Sequence, residues 1–136
     1  VYEPWPDMER VLRQLDVLKT DAVEAAYLTG EQDIEKAASR FASLGAKEVL
    51  LSHSEGILVH AEGKFYHYLF HANSMSGRSG RGDTCVGSYV AKRLTLPPYE
   101  AGKWSAATTS LKIERLGVFN RSVAEVEEFI SRHYAD

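Results

Sequence analysis

The spacing of apolar positions along this chain alternates between a helical and an extended period. After Pro4-Trp5-Pro6-Asp7, the residues Met8, Val11, Leu12 and Leu15 recur with helical spacing. Asp16-Val17-Leu18-Lys19 reads as a short buried strand, and Val1-Tyr2-Glu3 as the end of an earlier one. Asp21-Ala22-Val23-Glu24 opens a second helix that Gly30 ends. A third carries Ile34, Ala37, Ala38, Phe41 and Leu44 and is closed by Gly45. Ala46-Lys47-Glu48-Val49-Leu50-Leu51 follows as a strand whose apolar end predicts burial on both faces. Next comes a hairpin, 57–60 and 65–70, around the four-residue turn Ala61-Glu62-Gly63-Lys64.

Further on, Cys85, Val86, Tyr89, Val90 and Leu94 form one helical stripe, with Lys92 and Arg93 in the last turn and Pro97-Pro98 preventing continuation. Residues 100–112 form a helix of small residues, the pattern of close helix packing. Ser122-Val123-Ala124-Glu125 is a capping box opening a last helix with Val123, Val126, Phe129 and Ile130 on one face. Helices alternating with short buried strands predict an α/β fold with a mainly parallel sheet.

At 136 residues the chain has room for a single domain, 1–136. Its 44% hydrophobic and 26% charged residues are ordinary globular material. A net charge of −3 without a basic face argues against nucleic acid as a partner. No apolar run has the length of a membrane span, and Val1-Tyr2-Glu3-Pro4 lacks signal-peptide character. One cysteine excludes an internal disulfide, so a cytoplasmic location is expected. The opening on Val1 rather than methionine reads as a start within a longer protein.

The chemistry concentrates in Ser76-Gly77-Arg78-Ser79-Gly80-Arg81-Gly82-Asp83-Thr84-Cys85-Val86-Gly87. Glycines feeding a helix N-terminus let backbone N–H groups converge on an anion, and Arg78 and Arg81 strengthen that preference. Asp83 beside an anion pocket has a use in phosphoryl transfer, taking the proton from the attacking hydroxyl. A plain glycine loop capped by a helix is the bland alternative.

Gly80-Arg81-Gly82-Asp83 resembles the glycine–alanine–glycine–aspartate signature of the ribokinase (PfkB) family of sugar and nucleoside kinases. The resemblance implies an anion hole at Gly80, Arg81 and Gly82 and a catalytic base at Asp83. Arg81 stands where the family usually has alanine, and Gly77 where an aspartate is usual. Asp21-Ala22-Val23-Glu24 is similar to the family's asparagine-x-x-glutamate motif, which implies magnesium binding through Glu24 and Asp21; a capping box explains the same residues. Ser52-His53-Ser54-Glu55-Gly56 lies where the family has a nucleotide-lining loop, so His53 and Gly56 become candidate donor contacts or a simple turn. The small-residue helix matches the one beside the adenine, which implicates Ala107, Ser110 and Leu111.

The resemblance spans Asp21 to Phe119 and implies a three-layer α/β/α ribokinase-like fold, seen as its C-terminal half. It further implies ATP and magnesium, with a monovalent cation as a further candidate cofactor. The expected partners are a small sugar or nucleoside-like acceptor and the N-terminal half of the same protein. An open sheet edge makes self-association expected for the piece alone. The function implied is ATP-dependent phosphorylation of a hydroxyl, the alternative being a non-catalytic phosphate- or nucleotide-binding module. His53, His60, His67 and His71 match no zinc spacing, and His67 and His71 would stand about 13 Å apart on a strand. Arg81-Gly82-Asp83 also spells the tripeptide of adhesion receptors, which a helix start would hide.

Overall fold

Three helices of this protein begin on a side chain that closes their first turn. In the computed structural model, which describes residues 3–136, Asp21 accepts from the Glu24 N–H at 2.9 Å, Asp33 from the Lys36 N–H at 2.9 Å, and Ser122 from the Glu125 N–H at 3.2 Å. Each satisfies a donor that the helix itself leaves unpaired. The expected strand end at Val1 and Tyr2 lies outside the described residues, and Glu3 is in no strand.

The elements run α1 (Met8–Leu12), β1 (Val17–Asp21), α2 (Ala22–Thr29), α3 (Ile34–Ser43), β2 (Glu48–Ser52), β3 (Gly56–Ala61), β4 (Lys64–Leu69), α4 (Arg81–Arg93), α5 (Pro98–Ile113) and α6 (Val123–His133). The four strands form one sheet in the order β1-β2-β3-β4. β1 and β2 are parallel, from Val17 opposite Glu48 to Asp21 opposite Ser52. β2 and β3 are antiparallel, from Glu48 opposite Ala61 to Ser52 opposite Ile57.

The α/β class stands, but the sheet is mixed rather than mainly parallel. Only β1 and β2 are separated by helices long enough to return the chain in the same direction, whereas tight turns reverse it. The hairpin turn is also shorter than expected. Ala61 and Lys64 join the strands, which leaves Glu62 and Gly63 alone at φ 54° and 74°. Two consecutive positive φ values give the turn whose twist matches the flanking strands.

The chain divides into two compact units, one ending at His67 and the other Tyr68–Asp136. In the first, α2 and α3 cover the sheet, and Leu12, Leu18, Phe41, Val49, Leu51 and Leu58 make the core. In the second, α5 packs between α4 and α6 and is buried on nearly all sides. Its small residues allow that closeness. A β-carbon at Gly102 would lie 2.5 Å from the Tyr68 ring, and Ser105 Oγ donates to the Cys85 carbonyl at 2.7 Å. Tyr134 closes the unit by donating to the Leu69 carbonyl, and burial pushes its phenol up to about 12. Among the described residues no helix is long and apolar enough to cross a membrane.

Candidate active site

In the first unit the parallel register brings Asp21 beside Ser52, so the carboxyl ends of β1 and β2 gather the candidates there. Ligands of open α/β sheets sit at such ends. Asp21 and Glu24 form a full capping box: Glu24 Oε2 accepts from the Asp21 N–H at 3.0 Å and from Thr20 Oγ1 at 3.3 Å. The cap therefore occupies one oxygen of an exposed carboxylate and leaves the other turned to solvent. Lys19, which sequence reasoning passed over, places Nζ on Ser52 Oγ at 2.9 Å and on the Thr20 carbonyl at 3.0 Å. Lys19, Thr20 and Glu24 are polar lining of a cleft of about 380 Å³ that Trp5, Tyr27 and Leu28 also line.

His53 follows β2. Its N–H donates to the Gly56 carbonyl at 2.9 Å, and its Nδ1 accepts from the Glu55 N–H at 3.3 Å. This is a closed turn next to Ser52, with Gly56 buried at the start of β3.

In the second unit Gly80 takes a left-handed conformation, φ 78°, and α4 begins at Arg81. Arg81, Gly82 and Asp83 are thus the first helical turn itself rather than a loop ahead of it. Within the described structure Arg81 N–H bonds back to Arg78 and Thr84 N–H to Gly80, while nothing accepts from Gly82 or Asp83 N–H. Two open donors at the positive end of a 13-residue helix have the chemistry to accept an anion. A β-carbon at Gly82 would meet nothing within 4 Å.

Asp83 differs from the other acidic residues at helix starts. Asp21 and Asp33 spend their carboxylates on caps, whereas α4 has no side-chain cap, and Asp83 has neither hydrogen bond nor ion pair among the described residues. An exposed, uncommitted carboxylate next to an anion site can accept a proton from an incoming hydroxyl. Arg78 and Arg81 likewise have no ionic partner among the described residues.

Behind this turn stands the end of α5, the small-residue helix whose pattern predicts close packing and, by the family resemblance, a place beside the adenine. Gly77 N–H donates to the Ile113 carbonyl at 2.7 Å, and Lys112 Nζ donates to the Gly77 carbonyl at 2.9 Å. Ser76 Oγ donates to the Glu114 carbonyl at 2.8 Å, and the Asn73 N–H to Glu114 Oε1 at 3.1 Å. The last turn of α5 therefore clasps residues 73–77. Farther back, Ala107, Ser110 and Leu111 are buried. The Ser110 hydroxyl donates to the Ala106 carbonyl at 2.7 Å and accepts from the His71 N–H at 3.0 Å, so the fold already uses it.

The structure thus groups Asp21, Glu24, His53 and Gly56 in one unit, and the α4 turn with its α5 support in the other. Among the described residues no three His, Cys, Asp or Glu side chains converge as a metal site. His67 pairs with Glu35 at 2.7 Å and His71 stacks on His133, ring centroids 4.6 Å apart. A lysine flanked by Leu111 and Ile113 was the sequence signal for the support: a cation placed in a stretch, 105–113, that is otherwise free of charge.

No protein-family model and no curated protein matches the chain. Solved structures do. A pyrophosphate-dependent kinase in the ribokinase family, complexed with a pyrophosphate analogue and myo-inositol, is 35% identical over 94% of this chain and 46% of its own, at a TM-score of 0.85. A pyrophosphate-dependent myo-inositol-1 kinase converted into a myo-inositol-3 kinase is 34% identical over 99% of this chain and 48% of its own, at 0.86. Ribokinase from Thermotoga maritima is 25% identical over 90% of this chain and 44% of its own, at 0.74. The chain spans about half the length of each of these structures.

Proposed function

The chain belongs to the ribokinase family, and from that premise we propose that it is the C-terminal part of a kinase acting on a small sugar or polyol. The donor's transferred phosphoryl group rests on the Gly82 and Asp83 N–H groups, and Asp83 takes the proton from the attacking hydroxyl. The observation that carries this reading is the uncommitted Asp83 carboxylate at a helix start with open donors.

Magnesium fits the residues present in a limited way. Glu24 offers one carboxylate oxygen, enough for an ion that prefers phosphates and water for the rest of its shell. When bound, the ion neutralises charge on the donor phosphates. The residues of this chain orient the phosphates and hold the proton at Asp83.

For the donor, ATP follows from the family likeness. A second reading, inorganic pyrophosphate, is favoured by one observation. Arg78 and Arg81 bring two unpaired charges to the anion turn, more than a donor held also by its base requires. The pyrophosphate-dependent kinases among the similar structures point the same way. The test is phosphoryl transfer by the full-length protein, with ATP and with pyrophosphate, across sugars, nucleosides and polyols, followed by phosphorus NMR. A phosphorylated acceptor is expected with one donor. No product with either donor would leave the non-catalytic binding module standing.

Gly82 gives a second test. Alanine fits there without contact and should hold or slightly raise the melting temperature, since glycine costs a helix about 0.5–1 kcal/mol relative to alanine. Its methyl stands where the phosphoryl group would approach, so kcat should fall between about 10- and 10²-fold, the scale of a reacting group displaced by a fraction of 1 Å. Unchanged kcat in Gly82→Ala would remove the phosphoryl group from this turn.

A further inference from the structure

Lys112 and Lys103 are the two buried lysines of the second unit, 5% and 6% exposed, and they are treated differently. Lys103 has carboxylates, Asp136 at 3.0 Å and Glu100 at 3.5 Å, and it sits 4.5 Å from the Tyr99 ring centroid. Lys112 has no carboxylate among the described residues. Its Nζ donates to two backbone carbonyls, Gly77 at 2.9 Å and, more weakly, Arg115 at 3.4 Å. Its stem runs beneath the α4 turn, where a β-carbon at Gly80 would lie 3.7 Å from Lys112 Cε.

A buried ammonium without a counter-charge is a poor stabiliser. Its desolvation is offset only in part by carbonyl dipoles, and an apolar residue of similar volume often does as well or better. Its place therefore calls for another explanation. The carbonyls it holds belong to the segment entering the anion turn and to the residue just beyond α5. Its charge also lies behind the backbone donors, with no carboxylate among the described residues to cancel it.

We infer that Lys112 is a positioning residue for phosphoryl transfer, a built-in cation that fixes the Gly77–Gly80 segment and adds positive potential behind the anion turn. The inference rests on the reading of the α4 turn as the phosphoryl-binding element. Lys112 does not touch the donor; it acts through the backbone it holds. Removing its charge loosens the approach of Gly80 to α4 and weakens the field on the transferred group.

The test uses the full-length protein and Lys112→Met, which keeps most of the apolar stem and loses the charged end. The melting temperature should hold or rise while kcat falls about 10²-fold, the cost of a displaced reacting group. The acceptor KM should stay within about threefold, because the lost interaction belongs to the transition state. A kcat within about threefold of native overturns the inference. So does a lower melting temperature with native turnover in the folded fraction, because the lysine then serves the fold alone. Should Lys112→Met fail to fold, Lys112→Gln is read in the same way, and two neutral variants that both fail to fold also overturn it. A native protein that turns over no donor sinks the kinase reading instead. The Lys112 inference is then read from pyrophosphate affinity by calorimetry, which should fall about tenfold with the lost charge, and an unchanged affinity overturns it.

Discussion

Asp83→Asn in the full-length protein should lower kcat by about 10²–10⁴-fold, the usual contribution of a positioned general base. Asparagine keeps the shape and the hydrogen-bonding reach of aspartate and loses only the capacity to hold the acceptor's proton. Donor affinity should change little or improve, because a negative charge beside the donor phosphates has gone. The fold should scarcely register the change. Asp83 makes no cap, hydrogen bond or ion pair among the described residues, so its only contribution there is its charge near the positive end of α4. At an exposed position that interaction is worth about 0.3–1 kcal/mol. A melting curve near native beside a collapsed kcat is the expected pair of results. If Asp83 were only a helix-start acid, the order would reverse, with a small stability loss and native turnover. Near-native kcat with the acceptor and donor that the native enzyme uses would exclude Asp83 as the base.

The sequence was legible where local chemistry decides structure. Asp21 with Glu24, and Ser122 with Glu125, spell capping boxes, and both form. Gly30 ends α2 in the left-handed conformation that glycine favours there. The apolar run at Val49-Leu50-Leu51 becomes a strand buried on both faces. What the pattern could not settle was direction. Alternation of helices and strands reads the same whether a turn reverses the sheet or a helix returns it, so the antiparallel β2–β3 pair appears only in the register. A glycine stretch before a helical stripe predicts a loop leading to a helix. Periodicity cannot show that Gly80 alone takes a positive φ, and that single residue moves the helix start forward to Arg81. Least legible was the support behind the site. The clasp of residues 73–77 by the end of α5 joins positions more than thirty apart through two backbone carbonyls and the Glu114 carboxylate, and apart from the lysine between Leu111 and Ile113 it leaves no mark on the sequence pattern.

Gly77→Ala should be strongly destabilising. A β-carbon there would fall inside contact distance of the Arg115 carbonyl carbon and oxygen and 2.7 Å from the Lys112 carbonyl oxygen. All three are backbone atoms at the end of a buried helix, so no side chain can swing aside. Either the clasp opens or the methyl strains the backbone around it. Opening breaks the bonds from Gly77 N–H to Ile113 and from Lys112 Nζ to Gly77, and it leaves the Lys112 ammonium buried without its nearer acceptor. Overpacking costs about 1–3 kcal/mol and a stranded buried donor adds a similar amount, so a loss of about 3 kcal/mol or more is expected. The melting temperature should fall by roughly 6 °C or more, at about 2–4 °C per kcal/mol for a protein of 150–250 residues. Turnover should fall in the folded fraction too, since the segment that opens leads directly into the α4 turn. Lys112→Met acts through the same clasp, so the kcat losses in the double variant should be clearly less than additive. Native melting and native kcat in Gly77→Ala would mean that residues 73–77 do not hold the anion turn, and additive losses would mean that Lys112 acts by a different route.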